Sequence, residues 1–297
     1  MCDCLVALPA ATGATTLFAK NSDRPPGERQ VIHWSAPRAD VGPLRVTHID
    51  VPPHTGATLA CVLSRPAWCW GAEHGVNEAG VAIGNTTVYT TLDPRGATVG
   101  LTGMDLVRLA LERTTAATDA VELITSLLER HGQGGSGHDT ELVPAGRPYW
   151  NSFLVADASS AFVIDTSGRD WAVEQVEDVR AISNRTTIPA FDALHRHPRQ
   201  PVATLVDPRL DASRLVLSLR PVTVDLLQAH LRSHECGEEG WSVCMHVEGV
   251  QVTTASMIVA LGALSPPQLW VLTGNPCVGD YIRCGFEDAA GFDFSEV

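Results

Sequence analysis

Cys2-Asp3-Cys4-Leu5-Val6-Ala7-Leu8-Pro9, with Thr15-Thr16-Leu17-Phe18-Ala19-Lys20-Asn21-Ser22-Asp23-Arg24 following a short turn, is the stretch on which the fold turns. The apolar runs Cys4 to Leu8 and Thr15 to Lys20 are too short for helices, and turn-forming residues from Pro9 to Gly13 separate them. Such a pattern predicts a β-hairpin. Its return strand would bring the polar run Lys20 to Arg24 back beside residue 2.

That placement gives Cys2 a chemistry. Methionine aminopeptidases remove an initiator that precedes a small residue, so loss of Met1 would leave a free α-amine two bonds from the Cys2 thiol. Unperturbed, the amine titrates near ~8 and the thiol near ~8.5, so the amine can serve as local base for the thiol. This is the logic of an N-terminal nucleophile. Asp23 would hold and orient the ammonium form, and Lys20 or Arg24 would favour the thiolate by proximity of charge. The position of a cysteine beside the start codon carries little weight alone. Asn21 and Asp23 also fit a polar turn that bonds its own backbone.

Outward from the hairpin, short strands are expected at Leu44 to Val51, which alternates in period two, and at Thr58 to Leu63 and Val81 to Asn85. Two helices follow. Leu106, Leu109, Ala110 and Arg113 share one face, then Val121, Ile124, Leu127 and Leu128 another, with Asp119 and Glu122 as a capping pattern and Gly132 as the stop. Past the loop Gly132 to Gly137, strands resume at Ser152 to Ala156, Ala161 to Asp165, Trp171 to Gln175 and Val179 to Ser183. Pro189 to Leu210 reads as an irregular connection. Helices are expected at Ser213 to Leu219 and at Val224 to Leu231, the latter capped by Thr223, and strands at Thr253 to Leu261 and Leu269 to Thr273. This order is not the strict alternation of a parallel α/β sheet; it suggests antiparallel sheets covered by helices.

Composition narrows the function. The chain has 297 residues, 44% hydrophobic and 19% charged, with a formal charge of −13. Those values suit a soluble protein, and one domain spanning 1–297 is the expectation. The negative charge, without any run of Lys or Arg, makes nucleic acid and anionic membrane surfaces poor partners. The N-terminus has no basic start or unbroken apolar stretch, which points to a cytoplasmic setting. There the eight cysteines would be free thiols. No CxxC, HExxH or HxH spacing occurs, so neither a metal nor a cofactor is expected.

The segment Ser64-Arg65-Pro66-Ala67-Trp68-Cys69-Trp70-Gly71-Ala72-Glu73-His74-Gly75-Val76-Asn77-Glu78-Ala79-Gly80-Val81-Ala82-Ile83-Gly84-Asn85 resembles the most distinctive stretch of the secernin family, grouped with the C69 dipeptidases among cysteine N-terminal nucleophile (Ntn) hydrolases. Cys2 to Pro9, Phe18 to Pro25, Gly103 to Leu109, Ile182-Ser183-Asn184 and Thr253 to Met257 are similar too, in the same order along the chain. The region Thr186 to Thr223 is shorter than in eukaryotic secernins, and the tail after Pro276 diverges.

The resemblance implies an α+β fold, an αββα four-layer sandwich of two antiparallel sheets between helical layers, with Cys2 as nucleophile. Likeness to the choloylglycine and penicillin V acylase branch implies Lys20 where that branch has an arginine, Asp23 near the amine, and Asn85 and Asn184 as oxyanion donors. Arg214 is a weaker match to an arginine of that branch. Both asparagines end apolar strand patterns, where a rigid amide aimed at a developing oxyanion contributes ~3 kcal/mol. Arg24, Arg214 and Trp70 are candidates for substrate binding, although Trp68 and Trp70 equally fit core packing.

The expectation is a cysteine amidohydrolase, dipeptidase-like, acting on a small-molecule or short-peptide amide through an acyl-Cys2 thioester. An acyltransferase using the same intermediate and a catalytically inactive interaction module are the alternatives. A homo-oligomer is left open.

Overall fold

The computed structural model describes residues 1–39, 42–292 and 294. In chain order, β1 (Cys2–Ala7), a one-turn α1 (Pro9–Thr12) and β2 (Thr16–Arg24) form the hairpin. Then come β3 (Gln30–Ser35), the two-residue β4 (Leu44–Arg45) and β5 (Asp50–Val51), β6 (Cys61–Pro66), β7 (His74–Asn77) and β8 (Ala82–Val88). Helices α2 (Gly103–Arg113) and α3 (Ala117–His131) precede β9 (Trp150–Ala156), β10 (Ala161–Ser167), β11 (Asp170–Val176) and β12 (Val179–Ile182). Helices α4 (Pro189–His195), α5 (Val202–Leu205), α6 (Asp207–Ser218) and α7 (Val224–Leu231) lead to β13 (His246–Val247), β14 (Gln251–Gly262), β15 (Ser265–Thr273) and β16 (Ile282–Gly285).

One antiparallel sheet runs β12-β1-β2-β14-β15-β16, with β13 on the edge of β14; the other runs β11-β10-β9-β8-β7-β6-β3. Alternation along β1 and β2 explains the layering. Cys4, Val6 and Phe18 enter the core between the sheets with Val62, Val76, Leu154, Met257 and Val271. Leu5, Ala7, Leu17 and Ala19 face the other way, against Leu210 and Leu217 of α6 and Leu227 and Leu231 of α7. On the far side of the second sheet, Leu63, Ile83 and Phe153 pack on Leu106, Leu109, Ile124 and Leu128 of α2 and α3. The result is the expected αββα sandwich. Among the described residues no helix is long and apolar enough to cross a membrane.

The turn between β1 and β2 is a short helix started by Pro9 and closed by Gly13 at φ 78°, a left-handed conformation that glycine adopts without strain. The hairpin stands as expected, with Cys2 opposite Ser22 and Cys4 opposite Lys20.

Several local expectations fail for identifiable reasons. The alternating run Leu44 to Val51 is not one strand: it folds back through a turn closed by Val46 N–H to Ile49 O at 3.0 Å. Thr47, inside that turn, is pinned by its hydroxyl donating to Asp105 Oδ1 at 2.6 Å. Pro189 to Leu210 is largely helical, because Pro189 and Pro208 start α4 and α6 instead of interrupting them. Asp119 and Glu122 do not cap α3, which begins at Ala117; its first N–H is accepted by Asp157 Oδ2, at 2.9 Å, from another part of the chain. Gly132 does close α3, and Thr223 does cap α7.

Candidate active site

Cys2 begins β1 and is buried, at 3% exposure, with Met1 still attached. Its sulfur belongs to the face between the sheets. Cys2 Sγ lies 3.7 Å from Glu73 Oε2, and Lys20 Nζ reaches the same carboxylate at 3.4 Å and Ser22 Oγ at 2.7 Å. Arg24 Nη1 donates to Glu73 Oε1 at 2.7 Å and its other guanidinium nitrogens bind Glu28, so Lys20, Arg24, Glu73 and Glu28 form an interlocked buried set. Gly84 of β8 makes room for it: a Cβ there would lie 2.7 Å from Lys20 Cδ and 3.0 Å from Cys4 Sγ.

The main-chain side of Cys2 faces differently. Its N–H donates to Asn184 Oδ1 at 3.0 Å, and that oxygen also accepts from Arg209 Nη2 at 2.8 Å. Arg209, fully buried on α6, donates to Asp3 Oδ2 at 2.5 Å and stands 4.0 Å from Asp23 Oδ2. Asp23 Oδ1 accepts from Thr253 Oγ1 at 2.7 Å, whereas its Oδ2 is buried without a hydrogen-bond partner. The Met1 amine donates to the Asp23 carbonyl oxygen at 3.0 Å and not to its carboxylate.

These environments set the protonation states. Burial pushes the Cys2 thiol above its usual range; Lys20 pulls it down and Glu73 adds to the rise. Burial opposes the charge on Lys20, but Cys2 and Glu73 override it and hold the ammonium above its ordinary value. Glu73 stays below the usual carboxylate value because Lys20 and Arg24 outweigh its burial. Burial drives Asp23 up to about 6 against the pull of the N-terminal amine and Arg209. Burial also lowers the Met1 amine. His74, whose Nδ1 lies 3.2 Å from Ser22 Oγ, is kept neutral by burial and by Lys20.

Cys2, Lys20, Asp23 and Asn184 therefore come together. Asn85 also lies against Glu73: its Nδ2 donates to Asn151 Oδ1 at 2.9 Å, and with the amide turned the other way the nitrogen donates instead to the Glu73 carbonyl at 2.8 Å and carboxylate at 3.0 Å. Asn184 Nδ2 donates to Thr87 O at 2.9 Å. Arg24 is consumed by its ion pairs and by the Gly137 carbonyl at 2.6 Å. Trp70 lies under the Arg108 guanidinium, 4.3 Å from ring centroid to Cζ, and packs on the α2 side of the second sheet.

Arg214 is exposed and paired with Asp211 at 3.0 Å, and takes no part in the cluster. Arg209, five residues earlier on α6, occupies the site instead. A signal existed: Arg209, Leu210, Ser213, Val216 and Leu217 share the buried helical face, which leaves Arg214 outside. Reading the helix as starting at Ser213 hid that face. Glu73 and Asp3 were also missed. Glu73 lies within the distinctive 64–85 segment, but nothing local marks it as the partner of Lys20.

No protein-family model matches the chain. Among solved structures, penicillin V acylase from Agrobacterium tumefaciens matches with a TM-score of 0.53 at 14% identity, covering 91% of this chain and 86% of that one. The C2A mutant of the conjugated bile acid hydrolase from Clostridium perfringens matches with a TM-score of 0.51 at 10% identity, covering 96% and 97%. This is the Ntn-hydrolase fold. At these identities the likeness is one of architecture, and the narrower secernin likeness rests on the sequence segments alone.

Proposed function

We propose that the chain is a cysteine amidohydrolase of the N-terminal nucleophile type, cleaving a small N-acyl amide or dipeptide through an acyl-Cys2 thioester once Met1 is removed. One observation carries the reading: on the α6 side of Cys2, Asp3 and Asp23 are both buried, Arg209 bonds Asp3 but stands 4.0 Å from Asp23, and Asp23 Oδ2 has no hydrogen-bond partner although the Met1 amine is bound to the same residue's carbonyl. Buried carboxylates ordinarily have partners. An α-ammonium on Cys2 would supply a direct partner for that oxygen. The two structures that share the fold are named an acylase and a hydrolase, which agrees with acyl transfer from an amide.

In this reading the Cys2 amine takes the Sγ proton while Lys20, kept cationic, stabilises the thiolate. The thiolate attacks the carbonyl carbon, the C–N bond breaks, and the ammonium returns its proton to the leaving amine. The amine then deprotonates the water that cleaves the thioester. Asn184 orients the amine through Oδ1. The oxyanion is assigned to the second N–H of the Asn184 amide, worth ~3 kcal/mol, whereas the Asn85 amide is already engaged by Glu73 or Asn151. A cleft of about 390 Å³ lined by Glu28, Gln30, Thr253, Thr254 and Asn275 adjoins Asp23 through Thr253 but does not reach Cys2 itself.

Intact-mass measurement of the purified chain should show Met1 missing, and a panel of dipeptides and N-acyl amides should give turnover that Cys2→Ala abolishes. Full activity in protein that retains Met1 would sink the mechanism. Addition of amine acceptors to the same panel separates hydrolysis from acyl transfer by the appearance of coupled product.

A further inference from the structure

The loop after α7, strand β13 and the turn after β15 meet in a cluster of His234, Cys244, His246 and Cys277. Their donor atoms all lie within 4.8 Å of one another. His246 Nε2 is 3.4 Å from Cys244 Sγ and 3.2 Å from Cys277 Sγ, and the His234 and His246 rings meet edge to face with centroids 4.9 Å apart. We propose that these four side chains form a structural zinc site, unrelated to the thiol chemistry at Cys2.

The donor set and the distances support zinc. Two thiolates and two neutral imidazoles are a closed tetrahedral set for Zn²⁺, and together they cancel its charge. Zn–S bonds near 2.3 Å and Zn–N bonds near 2.0–2.1 Å place sulfur and nitrogen about 3.5 Å apart along the tetrahedral edges. The two sulfur–nitrogen separations here match that edge. All four positions belong to the protein, leaving none for substrate or water, so the ion is a clip and not a catalyst. Glu235, Glu238, Glu239 and Glu248 lie in the same stretch of chain, 233–250, which has no Lys or Arg, although Arg232 approaches the turn that carries Cys277.

The backbone is arranged to present the donors. Cys244 N–H bonds Ser233 O at 3.0 Å, beside His234, and His246 N–H bonds Gly240 O at 3.0 Å. Gly240, at φ 86°, is close-packed there: a Cβ on it would lie 2.2 Å from His246 O. Arg232 fixes the turn carrying Cys277 by donating to Pro276 O at 2.8 Å and Gly279 O at 2.9 Å. Cys244 and His246 flank Met245. Its N–H donates to Thr253 Oγ1 at 2.8 Å, and Thr253 in turn donates to Asp23. The clip thus holds the segment that holds Asp23.

The test is metal analysis of the full chain purified under reducing conditions without chelator. Elemental mass spectrometry should find about one zinc per chain, equally in wild type and Cys2→Ala, and at least tenfold less in Cys277→Ser and His246→Ala. Chelated wild type titrated with Co²⁺ alone should develop the strong visible bands and thiolate charge-transfer absorption of a tetrahedral site; this readout does not depend on whether a variant folds. Thermal midpoint should fall on chelation and recover with Zn²⁺. Zinc retained undiminished in Cys277→Ser and His246→Ala would overturn the proposal. So would a reduced, folded wild type that gives no thiolate charge-transfer band with Co²⁺, or a Cys244–Cys277 disulfide in the anaerobically purified chain.

Discussion

On the face of the β1–β2 hairpin turned toward the second sheet, Lys20, Arg24, Glu73 and Glu28 form a set of direct ion pairs with two cations for two carboxylates, although Glu28 Oε2 has no hydrogen-bond partner. On the face turned toward α6 and α7, Asp3 and Asp23 share Arg209. Both faces are buried, and both flank Cys2, yet in the second, unbalanced face Arg209 and the Met1 amine lie near Asp23 without bonding its Oδ2. The balanced face can hold a sulfur next to a cation without any change at the N-terminus. Under the proposed mechanism the unbalanced face gains a direct partner for Asp23 when the amine moves from Met1 to Cys2. The difference teaches that the proposed processing of Met1 and the proposed activation of the thiol would draw on opposite sides of one strand, so they can be broken separately.

The largest effect should come from the shared residue. Under the proposed mechanism Cys2→Ala removes the nucleophile, and amide turnover should fall about 10⁴-fold or more. Its unfolding midpoint in urea should stay near that of wild type, because neither ionic set uses the sulfur as its only partner. Next is Arg209→Met, which breaks the unbalanced face. It strands the Asp3 carboxylate in a site where both partners are almost fully buried, and unfolding free energy should drop by about 3–5 kcal/mol. Asp3→Asn added to it should restore part of the loss in a double-mutant cycle.

How much of this was legible beforehand depends on whether the information was local. The hairpin was, since Cys4 to Leu8 and Thr15 to Lys20 are apolar runs around a proline and a left-handed glycine; hence Cys2, Lys20 and Asp23 could be brought together from sequence. Asn184 could be named through the family resemblance, supported by its place at the end of a strand pattern. Arg209 could not, because two prolines that read as breakers are helix starters, and the helical face that selects it began four residues before the expected helix. Glu73 was hidden for a different reason. A buried carboxylate is identified by the cations it meets, and Lys20 reaches it from the opposite sheet. The strand that follows it, β7, was itself unforeseen. The His234, Cys244, His246 and Cys277 donors escaped local spacing rules because three separate segments supply them.

Asp23→Asn sharpens the contrast through pH. In chain that keeps Met1, burial raises the Asp23 carboxyl from 3.8 to about 6. The folded state then binds the proton more tightly than the unfolded state, so stability falls as pH rises from about 4 to about 6. The penalty persists above that window, at about 3 kcal/mol. Asparagine keeps a hydrogen bond for Thr253 and removes the charge. Protein produced with methionine aminopeptidase inhibited should therefore be more stable as Asp23→Asn at pH 7, by up to about 3 kcal/mol, with the gap closing near pH 4 in urea titrations. In processed protein the proposed mechanism has the ammonium on Cys2 pair with Asp23, and the gap should shrink. An equal gap in both forms would mean that the amine and Asp23 do not meet.

The smallest expected effect on stability tests the balanced face. Gly84→Ala sets a methyl 2.7 Å from Lys20 Cδ and 3.0 Å from Cys4 Sγ, so the lysine stem has to shift. Overpacking of this kind costs about 1–3 kcal/mol, and the flexible stem places the outcome toward the lower end. The shift matters more for Lys20 Nζ, whose charge lowers the Cys2 thiol against burial. Alkylation rates followed against pH should show the Cys2 thiol titrating higher in Gly84→Ala than in wild type, with the Asp23-dependent stability profile unchanged. A thiol titration that does not move would show that Lys20 is a structural partner of Glu73 and not the cation that tunes the sulfur.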